Sequence, residues 1–161
     1  MSRPSRRVRR NRPGRKLLGL DLGERRIGVA VSDAGGVLAS PLETVDLRHA
    51  SLAAVAELAR RHQVEGIVAG LPTTLSGVEG HQAHEARRQA AELESLVTVP
   101  LVFWDERLTS AMADRILDES GRRTKRERGL RDAIAAAVML QSFLDAHPLP
   151  ALHRPSASTD V

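Results

Sequence analysis

Three acidic residues stand where a carboxylate is costly or conspicuous. Asp21 ends the apolar run KLLGLD (16–21), Glu106 sits just past the apolar run VPLVFW (99–104), and Asp132 opens the apolar stretch DAIAAAVMLQSFL. A carboxylate in a central strand is expensive to bury unless a positive group compensates it. Taken singly, each has an ordinary explanation: Asp132 as a helix N-cap, Glu106 as the ion-pair partner of Arg107, Asp21 as a turn former with Gly23. Clustered at the strand ends of one sheet they would repel each other unless divalent cations lay between them. Oxygen donors in a chain with no Cys favour Mg²⁺ or Mn²⁺. Two such ions about 4 Å apart can activate a water, brace a phosphate and stabilise the leaving oxygen in phosphodiester hydrolysis, with no protein nucleophile. Asp33, Asp105 and Asp114 are weaker candidates, being near turns or on a polar helical face where solvation explains them.

The basic residues near these acids suit phosphates. Arg25 and Arg26 lie at the turn beside Asp21, where the alternative is a solvated turn. Arg107 follows Glu106 directly and could orient it or meet a substrate backbone. The stretch 122–131 holds Arg122, Arg123, Lys125 and Arg126 ahead of Asp132 and is the better nucleic-acid patch. His81 and His84 share a helical face but lack a third ligand, and read as surface histidines.

Alternating and apolar runs position these residues. The segments 16–21 and 26–32 (RIGVAVS) flank the turn Leu22-Gly23-Glu24-Arg25 and predict an antiparallel hairpin. The segment 37–45 predicts a third strand, which Pro41 sends to an edge or breaks. Asp46 is the expected cap of a helix over about 49–62, where Leu52, Val55, Leu58 and Ala59 recur at helical spacing. A short strand over 66–70 leads into the loop residues of 71–80, and a charged amphipathic helix is expected over 81–96. The run VPLVFW predicts a strand buried on both faces. Two more helices are expected over 109–119 and 131–146, separated by a basic linker over 121–129. This pattern predicts an α/β fold: a mixed sheet covered on both faces.

The chain has 161 residues, 42% hydrophobic and 27% charged, which suits one domain with a core. No apolar run approaches the roughly 20 residues that cross a bilayer, and the basic N-terminus leads into no signal segment; a soluble, cytoplasmic protein is expected. Eight of the 24 basic residues fall within residues 1–16, which hold no acid. The other 16 face 20 acids, so the remainder is net −4. Residues 1–15 are expected to form a disordered basic arm that fits a polyanion or merely solubilises the chain, and 147–161 a frayed tail. With 2% aromatic residues and no Tyr, base stacking is not expected as a main binding mode.

The stretches GLDLGERRIGVAVSD (19–33), GLPTTLSGVEG (70–80), FWDERLTSAMADRIL (103–117) and RDAIAAAVMLQSFLD (131–145) together resemble the YqgF/RuvX family, Holliday-junction-resolvase-like or pre-16S rRNA nucleases with a ribonuclease-H-like fold. The resemblance runs in order from about residue 16 to residue 146. It implies catalytic, metal-holding carboxylates at Asp21, Glu106 and Asp132 and a nucleic-acid partner, either precursor rRNA or branched DNA. Where the family carries a lysine-rich stretch ahead of the last acid, this chain is mostly arginine, which keeps charge and changes geometry. The implied activity is processing of the 5′ end of precursor 16S rRNA, with ribosomal particles as a further implied partner and junction resolution as the alternative. Two further readings stay open: a non-catalytic RNA-binding factor, and an actin-like nucleotide-binding protein suggested by the D-L-G hairpin. A monomer or a homodimer is compatible with all of them.

Overall fold

The computed structural model describes residues 15–71, 80–105 and 125–148, without the side chains of 125–128. Strands β1 (Leu17–Leu22) and β2 (Arg26–Ser32) form the expected hairpin, and β3 (Ala39–Asp46) completes an antiparallel meander. Helix α1 (Leu52–Arg61) leads to β4 (Gly66–Leu71), and helix α2 (His81–Glu94) to β5 (Leu101–Asp105). Helix α3 spans Lys125–Ala146. The strand order is β3-β2-β1-β4-β5, with β4 parallel to both β1 and β5. The carboxyl ends of three parallel strands therefore meet at one edge of the sheet, and Asp21, Gly70 and Trp104 form one row across it.

Strand alternation sends β1 to two cores. Leu18, Leu20 and Leu22 pack with Val55, Leu58, Ala86, Ala90 and Leu93 of α1 and α2. Leu17 packs on the other face with Ala30, Val68 and Ala136, Met139 and Leu140 of α3. Two glycines let α3 lie close to that face. A Cβ on Gly19 would stand 2.7 Å from Leu140 Cβ, and one on Gly28 would collide with the Asp132 carbonyl oxygen. Polar contacts fix the helix along its length: Gln141 accepts from Ala39 N at 2.9 Å and donates to the Val37 carbonyl at 2.9 Å, Trp104 Nε1 donates to Ser142 Oγ at 3.1 Å, and the Thr44 hydroxyl donates to the Gly129 carbonyl.

Four expectations change. Asp46 does not cap α1; Ser51 does, its side chain accepting from Ala53 N at 3.3 Å, while Asp46 Oδ1 accepts from Arg48 N in the turn before it. The run VPLVFW does not form a strand buried on both faces: β5 is an edge strand, and Val102 is 46% exposed. Helix α3 begins at Lys125 rather than at residue 131, because Lys, Arg and Glu are good helix formers that carry the helix through Gly129. Asp132 is consequently inside a helix, so its N-cap reading falls. Pro41 behaves as anticipated: β3 is the other edge, and its register shifts opposite Val29 and Ala30. The helix expected over 109–119 and both terminal segments, 1–14 and 149–161, lie outside the described residues.

Candidate active site

Strand pairing and helix packing bring Asp21 and Asp132 to the same face of the sheet. Asp21 pairs with Gly28 across the hairpin, and directly opposed residues of an antiparallel pair point to one side. Asp132 presents its backbone to that same glycine. Both acids are half-buried. Glu106 and Arg107 lie outside the described residues, as do Arg122 and Arg123; Lys125 and Arg126 are in the first turn of α3. Among the described residues, no three His, Cys, Asp or Glu side chains come together as a metal-holding group.

Arg26 turns to Asp132. Its Nε lies 2.8 Å from Asp132 Oδ2, so the buried oxygen of this carboxylate faces a guanidinium. Burial pushes the Asp132 carboxyl above its ordinary pKa, opposed by the charges of Arg26 and Arg131 and by the contact with Arg26. Two half-buried carboxylates on one face of the sheet offer hard oxygen donors, so the donor chemistry of Asp21 and Asp132 fits a divalent metal.

The β1–β2 turn is held from three sides. Gly23 N donates to the Arg26 carbonyl at 3.0 Å, closing the turn, and Leu47 N donates to the Arg25 carbonyl at 2.8 Å. From α2, the Gln89 amide donates to the Gly23 carbonyl at 2.8 Å, and His81 Nε2 lies 3.1 Å from Glu24 Oε1. The result is an open cleft of about 410 Å³ lined by Gly23, Glu24, Arg25, Arg26, Arg48 and Asp132. Asp21 does not line it; the turn that follows its strand does. Gln89 and Arg48 escaped the sequence reading. Gln89 had a signal, a polar residue on the helix face of Ala86, Ala90 and Leu93, and it is 2% exposed. Arg48 is aimed by a local turn with Asp46, but what docks that turn beside the hairpin is a tertiary contact, Leu47 N to the Arg25 carbonyl.

A mixed sheet in this order, flanked by helices and carrying an acid, Asp21, near the end of its central strand, is a ribonuclease-H-like fold of the kind found in the RuvC resolvases. T. thermophilus RuvC in complex with Holliday junction substrate is similar at a TM-score of 0.51 and 16% identity, over 82% of this chain and 95% of that one. The sequence profile of the RuvX family, described as Holliday junction resolvase, matches residues 15–146. The chain belongs to the RuvX family. Relatives from Syntrophus aciditrophicus (strain SB) and Roseiflexus sp. (strain RS-1) are each provisionally named a pre-16S rRNA nuclease. The first is 43% identical over 81% of this chain and 89% of its own length, the second 42% identical over 83% and 96%.

Proposed function

We propose that this protein is a metal-dependent endonuclease that hydrolyses phosphodiester bonds in structured nucleic acid, and that its substrate is the 5′ end of precursor 16S rRNA. The observation that carries the reading is the Asp132 carboxylate: half-buried, paired with Arg26, and lining an arginine-rich cleft on the face that bears Asp21. The provisional names of the RuvX relatives support the RNA substrate. Family membership supports an enzyme of the cytoplasm, where that RNA is processed.

Asp21 and Asp132, with Glu106, would hold Mg²⁺ or Mn²⁺. Such an ion supplies charge neutralisation at the phosphate and a water of lowered pKa. The chain's own groups do the rest. Arg26 keeps Asp132 in place by its ion pair, which limits repulsion between the acids. Arg25 and Arg26 offer guanidinium donors to phosphate oxygens, and Arg107, Arg122, Arg123, Lys125 and Arg126 extend the basic surface along the substrate. The described cleft is lined by no aromatic side chain, which suits recognition of backbone rather than of bases.

The test is a cleavage assay with Mg²⁺ or Mn²⁺ on a precursor 16S 5′ leader and on a four-way DNA junction. Wild type is expected to cut the leader, and Asp21→Ala to fall to the uncatalysed background while keeping its fold by circular dichroism. Wild-type rates in Asp21→Ala would remove that residue from the site. Junction cutting without leader cutting would favour the second reading, resolution of branched DNA, which the family description supports. Binding without cutting of either would replace the nuclease by an RNA-binding factor.

A further inference from the structure

The cleft beside Asp132 has a wall that its family motifs do not supply. Two of its arginines, Arg25 and Arg26, come from the β1–β2 turn; the third, Arg48, comes from the loop after β3. That loop is locked to the hairpin: Arg26 pairs with Asp46 at the end of the ladder, and Leu47 N donates to the Arg25 carbonyl at 2.8 Å. Asp46 then fixes Arg48 itself. Its Oδ1 accepts from Arg48 N at 3.0 Å and from Nε at 3.3 Å, and its Oδ2 from Nη2 at 3.1 Å. A guanidinium has five N–H donors, so these two side-chain bonds leave three others on a group whose direction is already set.

We propose that Arg48, aimed by Asp46, is a phosphodiester-binding residue and forms with Arg25 and Arg26 a subsite for the nucleic-acid backbone next to Asp132. The inference rests on the nucleic-acid reading above. Its ligand class follows from the lining: three guanidinium groups against two carboxylates, Glu24 and Asp132, and no apolar side chain. Glu24 is turned to His81 and Asp132 to Arg26, so neither carboxylate faces Arg48 as a partner. A planar fork held in advance loses less freedom on meeting a phosphate than a mobile one does. Asp46 therefore strengthens anion binding although it is itself an anion.

The test is fluorescence anisotropy with the full chain and a fluorescein-labelled RNA duplex bearing a single-stranded 5′ extension, in EDTA so that nothing is cut, across a salt series. Arg48→Ala is expected to bind about tenfold more weakly at low salt, with a log–log salt slope shallower by about 0.7 to 0.9. Arg60→Ala, which removes the same charge from an arginine paired with Glu57 on α1, is expected to match wild type. Arg48→Lys should fall between the two, keeping charge and losing the fork. Asp46→Asn should weaken binding even though it makes the protein more positive; tighter binding would overturn the aiming role of Asp46. Arg48→Ala indistinguishable from Arg60→Ala, with wild type binding, overturns this inference alone. Wild type without affinity overturns the nucleic-acid reading and this subsite with it.

Discussion

Asp132 costs stability where it stands. Its carboxyl is half-buried, and burial disfavours the charged form more than Arg26 and Arg131 favour it, so its pKa is raised. Residues kept against stability are characteristic of functional sites. Asp132→Asn is accordingly expected to melt at the wild-type temperature or above while losing cleavage, read by thermal unfolding beside the cleavage assay. Asp46 has the opposite sign. The Arg48 side chain, then the Arg48 amide, hold its pKa at about 2, below the ordinary carboxylate value. A lowered carboxylate pKa contributes stability above the unfolded value and loses it as pH falls through the folded one. Because the pair is exposed, the effect is small. Asp46→Asn should melt slightly below wild type at pH 7, and the two curves should converge as pH falls from about 4 to about 2. A gap that persists at the acid end would assign the loss to something other than this ionisation.

At the scale of the elements, the site depends on how closely α3 approaches the hairpin. Gly28 is the contact point, and its neighbours in the motif are legible as strand residues; that a glycine is required there is not, because the obstructing atom is the Asp132 carbonyl oxygen, more than 100 positions away. Gly28→Ala is expected to destabilise by roughly 1–3 kcal/mol, as overpacking does, and to impair cleavage by displacing Asp132. Denaturant unfolding and the cleavage assay check the two effects, and an unaltered midpoint would show that the helix can shift freely. The start of α1 illustrates a different limit. Asp46 and Ser51 are both good caps in a sequence, and the turn through Arg48 captured Asp46, leaving Ser51 to the helix. Ser51→Ala should cost about 1 kcal/mol in the same unfolding experiment, whereas Asp46→Asn should not show a cap's loss.

Over the whole molecule, charge and fold are separately encoded. Eight basic residues precede Leu17, and the rest of the chain is net acidic, so much of the long-range attraction to a polyanion is carried by the sequence ahead of β1. Removing residues 1–15 should leave the cleavage step intact and make binding less salt-dependent, since fewer counterions are released; an unchanged slope in a salt titration would show the arm to play no part. Periodicity and turn chemistry in the sequence by themselves determined the meander, the alternation of helices with β4 and β5, and the choice of Asp21 and Asp132 as suspects. Those signals are local, a matter of which side of a strand or helix each residue occupies. Tertiary structure alone decided that β5 is an edge, that Asp132 pairs with Arg26, and that Gln89 and Arg48 shape the cleft. Each of these is a contact between elements distant in the chain, and the chemistry of a residue does not state which distant group it will meet.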